Sequence, residues 1–219
     1  MKKENLTAEV KNETAPALEK KYKTTQKPIK IDKLQDFKDH PYKVQNGESM
    51  EELKASIREV GILNRILVRP LDDKDEKYEI ISGHRRVKAA KELGMKEIPA
   101  IVYSDIDRDE ATLLMVDSNN QRETLLPSEK AFAYKMKMDA LSHQGKTCGQ
   151  VGHKSREEVS EKESGRTVQR YIRLTNLVPE LLKSVDEKKI ALSPAVELSF
   201  LSEDNQREIV EYIDDHEVF

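Results

Sequence analysis

Between residues 49 and 103, apolar positions fall into short runs with clear ends. Met50, Leu53, Ile57 and Val60 recur at helical spacing. Ser49, with Glu52 three residues on, forms a capping box, and Gly61 is the natural stop. Ile66-Leu67-Val68, ended by Pro70, predicts a strand; the charged stretch 71–77 predicts a surface turn, and Tyr78 to Ile81 the next strand. His84 to Leu93 resumes the helical period through Val87, Ala90 and Leu93, and Gly94 closes it. Ile98 to Tyr103 predicts a third strand, entered through Pro99. Short strands alternating with short helices imply an α/β domain over 31–115. Residues 1–30 carry no sustained apolar period and read as a disordered basic arm.

Beyond Asp109 the pattern becomes helical. Residues 109–118 predict one helix and 128–142 another, with Ser128 as N-cap and Ala131, Tyr134, Met138 and Leu141 on one face. A glycine-punctuated loop follows at 143–154, and no strand signal comes after it. The expected class is α+β: the small α/β domain, an all-helical domain over 116–200, and an acidic C-terminal helix over 201–219. In the acidic part, Pro179 sits in a first turn, and Ser193-Pro194 starts a helix with Val196, Leu198 or Ser199, and Phe200 facing inward.

Composition changes this picture little. With 37% hydrophobic and 36% charged residues, no Trp and four Phe, the cores must be mainly aliphatic. No apolar run approaches the length of a bilayer crossing, no apolar signal segment follows the N-terminal lysines, and no membrane partner is expected. Cys148 is alone, so no internal disulfide can form. The net charge of −3 hides an uneven distribution. Residues 1–30 hold eight lysines against four glutamates, and 142–175 seven basic against four acidic groups. Residues 176–219 hold four basic against eleven acidic groups, which suits protein contact or solubility better than DNA.

The basic zone contains a helix-break-helix pattern. Ser155 caps a first helix anchored by Val159, Ser164-Gly165 breaks it, and Thr167 to Leu174 resumes with Val168, Tyr171 and Ile172 inward. A helix-turn-helix puts its second helix in the major groove. Here that helix would expose Arg166, Thr167, Gln169, Arg170 and Arg173, with Ser155 and Arg156 completing the DNA-facing set. Plain helical packing produces the same pattern.

A second candidate is the turn Ser82-Gly83-His84-Arg85-Arg86, where a strand passes into a helix. Such a junction offers backbone N–H groups and the positive end of a helix dipole, and two guanidinium groups suit phosphate oxygens. An ordinary surface turn with one arginine paired to a carboxylate fits as well. The stretch 116–123 carries Asp117, Asn119 and Arg122, which could reach the same cleft or form a polar hinge. The five histidines are scattered, so no transition-metal site is expected.

The succession SMEELKASIREVGILNRILVRP, YEIISGHRRVKAAKELGMKEIPAIV, DSNNQRETLLPSEKAFAY and a helix-turn-helix resembles the ParB-like partition proteins, the ParB/Spo0J group, over roughly 31–200. It is most similar to plasmid or conjugative-element types. The resemblance implies an N-terminal domain of the ParB/sulfiredoxin kind that binds CTP with Mg²⁺. It also implies a helical domain that reads a palindromic, centromere-like duplex as a homodimer. Cytoplasmic location on nucleoid or plasmid and a ParA-like ATPase partner follow from it. By motif, Gly83, His84, Arg85 and Arg86 would hold the triphosphate, Asn119 and Arg122 would form the second nucleotide motif, and Asp117 or Ser118 would face nucleotide-bound Mg²⁺. The chain departs from the family at His84, where Glu is usual, at Asn64-Arg65, where Gln-Pro is usual, and at Ser118, where an acidic residue is usual. Hydrolysis of CTP is therefore expected to be slow or absent. A C-terminal dimerisation domain, common in the family, is not expected in this sequence.

Two other readings remain. A ParB-fold regulator or protein adaptor could have lost its nucleotide. The α/β pattern also resembles sulfiredoxin, a phosphoryl-transfer enzyme whose ATP-binding segment reads Gly-Cys-His-Arg. Here that cysteine position is His84, and Cys148 lies in the other domain, so the thiol nucleophile is missing.

Overall fold

The computed structural model describes residues 22–43, 47–72, 77–119, 125–143, 159–160 and 163–216. A mixed α/β domain comes first and an all-helical region follows, as the pattern predicts. Five strands form one sheet: β1 (Thr24–Lys30), β2 (Leu34–Asp36), β3 (Ile66–Asp72), β4 (Lys77–Ser82) and β5 (Glu97–Tyr103), in the order β1-β5-β3-β4-β2. The β1/β5 and β3/β4 pairs are antiparallel, and β3/β5 and β2/β4 are parallel.

Alternation along the strands divides the core into two layers. Ile66, Val68, Ile80, Ile98, Ala100 and Val102 meet Val87 and Ala90 of α2 (His84–Glu92). Helix α1 (Glu48–Val60) packs Met50 and Ile57 onto Ala89 of α2. On the opposite face, Ile81 and Tyr103 meet Leu114, Met115 and Val116 of α3 (Arg108–Asn119).

Helix α4 (Pro127–His143) begins the helical region, followed by α5 (Gly165–Arg173), α6 (Pro179–Asp186), α7 (Leu192–Leu198) and α8 (Glu203–Asp215). Val159, fully buried, packs with Tyr134, Leu141 and Val168, the anchoring role expected of it.

Several expectations need correction. The arm does not extend to residue 30, because Thr24–Lys30 is an edge strand. Only Ile29 of that strand is buried, so its order comes from backbone pairing rather than from an apolar pattern. Pro28 and Pro99, both without an N–H, lie opposite one another in the ladder. The strand at Ile66 continues through Pro70 to Asp72. Gly47, at φ 137°, caps α1 in place of Ser49, with no side-chain cap bond. Ser128 lies inside α4, where its N–H and hydroxyl donate to Asp186 at 2.9 and 2.6 Å. The capping carboxylate there is Glu129, whose Oε2 accepts from Leu126 N–H at 3.0 Å.

The domain limits shift too. Helix α3 runs unbroken across the expected 115/116 boundary, because Met115 and Val116 are buried against the sheet. The expected acidic C-terminal helix is α8, Glu203–Asp215, and it packs on the bundle. Gln206, 1% exposed, accepts from Val178 N–H and donates to the carbonyls of Asn176 and Leu201, which docks α8 on the bundle.

Candidate functional site

Strand β4 delivers the turn. Ile80 and Ile81 are fully buried, so the strand end is fixed, and Gly83 follows at φ 107° as the N-cap of α2. A β-carbon at Gly83 would stand 2.7 Å from Ile66 Cγ2, so both the left-handed backbone and the close approach require glycine. Gly83 brings no side chain to cap α2, and a helix start of this kind directs N–H groups toward an acceptor.

Arg85 holds the start of α1, and Arg86 holds the loop that leads from α1 into β3. Arg85 Nη2 donates to the carbonyl and hydroxyl of Ser49 at 3.1 and 2.7 Å. Arg86 Nη1 donates to the carbonyls of Asn64 and Arg65 at 2.5 and 2.7 Å. Burial lowers the Arg86 pKa from its usual value, although a guanidinium keeps its proton at neutral pH. Arg85 Nε is buried and makes no hydrogen bond among the described residues. A buried orphan donor costs about 1–3 kcal/mol, so an anionic oxygen delivered there is favoured.

His84 faces the segment after β2. Phe37 N–H donates to its Nε2 at 3.5 Å, and its ring lies 3.7 Å from that of His40. With Asp36, Tyr42, Val87, Lys88 and Lys91, the two rings line a cavity of about 340 Å³. The same segment continues to Lys43, which reaches the helical region. Its N–H donates to Glu129 Oε1 at 2.7 Å, and its ammonium pairs with Asp186 at 3.2 Å. A strap of residues 37–43 thus ties the turn to the starts of α4 and the end of α6.

The second nucleotide motif is only partly placed. Asn119 is buried and donates to the carbonyl of Met115 at 2.8 Å, while Arg122 lies outside the described residues. Asp117 accepts from Lys137 Nζ at 2.5 Å, and the Ser118 hydroxyl donates to the carbonyl of Met115 at 2.9 Å. Each is thus engaged by one contact within the protein, and among the described residues no cluster of three metal-ligating side chains occurs.

The helix expected to face DNA is α5. Ser164 caps it, its hydroxyl accepting from Thr167 N–H at 3.3 Å. Val168 is buried, and Tyr171 and Ile172 pack on α4 and its neighbours, as the pattern predicts. Arg166 is exposed, whereas Thr167, Gln169, Arg170 and Arg173 are half-buried. Ser155, Arg156 and most of the first helix of the motif lie outside the described residues. Arg170 Nη2 donates to the Ser193 hydroxyl at 2.5 Å, and Arg173 Nη2 to the Ser199 carbonyl at 2.9 Å. The Arg173 guanidinium lies 3.9 Å from the Phe200 ring centroid. Phe200 is not inward as expected but 65% exposed. With Gly165, Arg166, Gln169 and Val196, these side chains line a concavity of about 500 Å³. The helical period alone put Phe200 in the core; the C-cap at Ser199 turns the chain outward.

The fold and these two sites define a two-part protein, with an anion-ready turn in an α/β domain and an arginine-bearing helix start in a helical one. Residues 15–119 match the family described as "ParB N-terminal domain". The chromosome-partitioning protein Spo0J of Thermus thermophilus is 36% identical over 159 residues, 73% of this chain and 54% of that one. The nucleoid occlusion protein of a Geobacillus species is 37% identical over 122 residues, 56% of this chain and 42% of that one. Among solved structures, the C-terminally truncated chromosome-partitioning protein ParB from Caulobacter crescentus, complexed to the centromeric parS site, covers 87% of this chain and 92% of that one. The match has a TM-score of 0.51 at 24% identity, a likeness of fold. Residues 15–119 therefore belong to the ParB N-terminal domain family, and the chain is similar to ParB and Spo0J proteins beyond it. It spans about half the length of Spo0J and similar curated relatives. Among the described residues, no helix is long and apolar enough to cross a membrane.

Proposed function

We propose that this chain is a sequence-specific DNA-binding partition protein, of a plasmid or conjugative-element type, whose α/β domain binds CTP and thereby acts as a gate on DNA. The observation that supports it most is the Gly83 turn: an uncapped helix start, closed against a side chain by Ile66, beside the orphan Nε of Arg85. On this reading the first-turn N–H groups and Arg85 hold the phosphates, and Arg86 keeps the 64–65 loop in place. The preference for cytosine rests on the family alone. Arg85 can release Ser49 when a phosphate competes for it, which would loosen the start of α1. Gln169 and Arg170 approach base edges, Arg166 and Thr167 approach phosphates, and two copies read a palindrome. Cytoplasmic work on a nucleoid or plasmid, with a ParA-like ATPase as partner, belongs to the same reading.

Asp117 and Ser118, both engaged within the protein, favour slow or absent hydrolysis. The same observation supports a second reading, a DNA-binding regulator that has lost its nucleotide. The likeness to a nucleoid occlusion protein is compatible with that reading. Calorimetry with CTP, ATP and GTP, with and without Mg²⁺ and duplex, separates the two. Binding of CTP that disappears in Arg85→Ala supports the gate; no binding of any triphosphate, even with DNA present, leaves the regulator.

A further inference from the structure

Among the described residues of the helical region Phe200 is the most exposed large apolar side chain, and it stands one residue beyond the C-cap of α7. It shares one concavity with Arg166, Gln169 and Arg170, so it lies on the side of the bundle that α5 would turn toward DNA. Its ring is held in place. The Arg173 guanidinium covers one face at 3.9 Å, and the same guanidinium is tied to the carbonyl of the preceding residue, Ser199. Ser199 is itself buried, its hydroxyl donating to the Val196 carbonyl at 2.6 Å. The ring is therefore a rigid apolar wall beside a cationic rim.

Arg173 is partly committed within the protein before any base is met. One donor is committed to Ser199, and its Nε is buried and without a hydrogen bond among the described residues. A bidentate contact to guanine needs two outward donors. Its planar group is used instead against the aromatic ring, a stacking that lysine cannot reproduce.

We infer that Phe200 is a specificity-determining residue of the DNA face, reading the 5-methyl group of a thymine next to the bases approached by Gln169 and Arg170, with Arg173 as its positioning residue. This deepens the reading of α5 as a major-groove helix and rests on it. Thymine is the base that presents an apolar group in that groove, and phenylalanine is among the side chains that contact it.

The test begins with selection of a preferred duplex by the whole chain, followed by replacement of each thymine with deoxyuridine, which removes only the methyl group. One thymine per half-site should cost about fourfold in affinity on replacement, the worth of one buried methyl. In Phe200→Ala that penalty should vanish, and in Phe200→Leu part of it should remain. Arg173→Lys should also lose the penalty while keeping the salt dependence of binding, since the charge is retained. An unchanged penalty in Phe200→Ala, or no thymine sensitive to loss of its methyl, overturns the assignment. Equal binding to all duplexes in the selection overturns the reading of α5 as well.

Discussion

Helices α2 and α5 begin with similar ingredients, a small residue followed by arginines, yet their starts differ in what they leave available. At α2 the cap is Gly83 in a left-handed conformation, with no side chain to satisfy the first turn. At α5 the cap is Ser164, whose hydroxyl already accepts from Thr167 N–H. One start has no side-chain cap of its own; the other is closed by its serine. The arginines differ too. Arg85 holds the start of α1 and Arg86 the 64–65 loop, whereas Arg170 and Arg173 lean on Ser193, Ser199 and Phe200 around α7. The proposed anion site and the proposed reading surface thus differ first in the choice between glycine and serine at the cap.

The contrast breaks most severely at Gly83. Gly83→Ala forces a β-carbon to 2.7 Å from Ile66 Cγ2 at a backbone angle that alanine avoids. A loss of about 2–4 kcal/mol in stability is expected, together with at least tenfold weaker triphosphate binding. Thermal unfolding and calorimetry measure the two, and an unaltered melting temperature would mean the turn relaxes freely. The next largest effect concerns the link between the sites. Asp186, its side chain 8% exposed, accepts from Ser128 N–H and hydroxyl and pairs with Lys43. Asp186→Ala should cost about 2–3 kcal/mol in urea unfolding, since it strands these donors at the domain junction. It should also reduce any effect of nucleotide on DNA affinity; full retention of that coupling would exclude the 37–43 strap as its route.

Arg86→Lys sharpens the comparison more gently. The charge stays while the two carbonyl contacts to Asn64 and Arg65 are lost, for roughly 1–2 kcal/mol and about tenfold in nucleotide affinity. Titration with CTP alone decides it, and wild-type affinity would show that the 64–65 loop needs no anchor. Smallest is the closed cap: Ser164→Ala should lower stability by about 1 kcal/mol, and Ser164→Gly by only a few tenths. Both should leave nucleotide binding untouched. A change in CTP affinity in either variant would mean that the two helix starts are not independent.

Much of this was legible in the chain. The helical spacing of Met50, Leu53 and Ile57, and the apolar runs at Ile66 and Ile98, announce the α/β half, because each buries a face with a regular period. The Gly83-Arg86 turn and the Val168-Ile172 face were equally readable. Strand β1 was not, since an edge strand that buries only Ile29 owes its place to the backbone of β5. Nor were the destinations of Arg85 and Arg173: their partners Ser49 and Ser199 are brought near by the fold, across 36 and 26 residues of chain. Gln206 illustrates the same limit, a polar side chain in an acidic helix that fills a buried backbone vacancy at Val178.

Helix α3 has a consequence for how the molecule comes apart. Its Met115 and Val116 belong to the layer under the sheet, while Leu113 packs with Tyr134 and Val168, and Asp117 pairs with Lys137 of α4. An element buried on both sides cannot fray without opening both halves, so the amides of α3 should exchange with solvent only through global opening. The two halves should then melt in a single transition, with one denaturation midpoint reported by probes in the sheet and in the bundle. The hinge of this protein, if it bends on DNA, has to lie on one side of α3 or the other rather than within it.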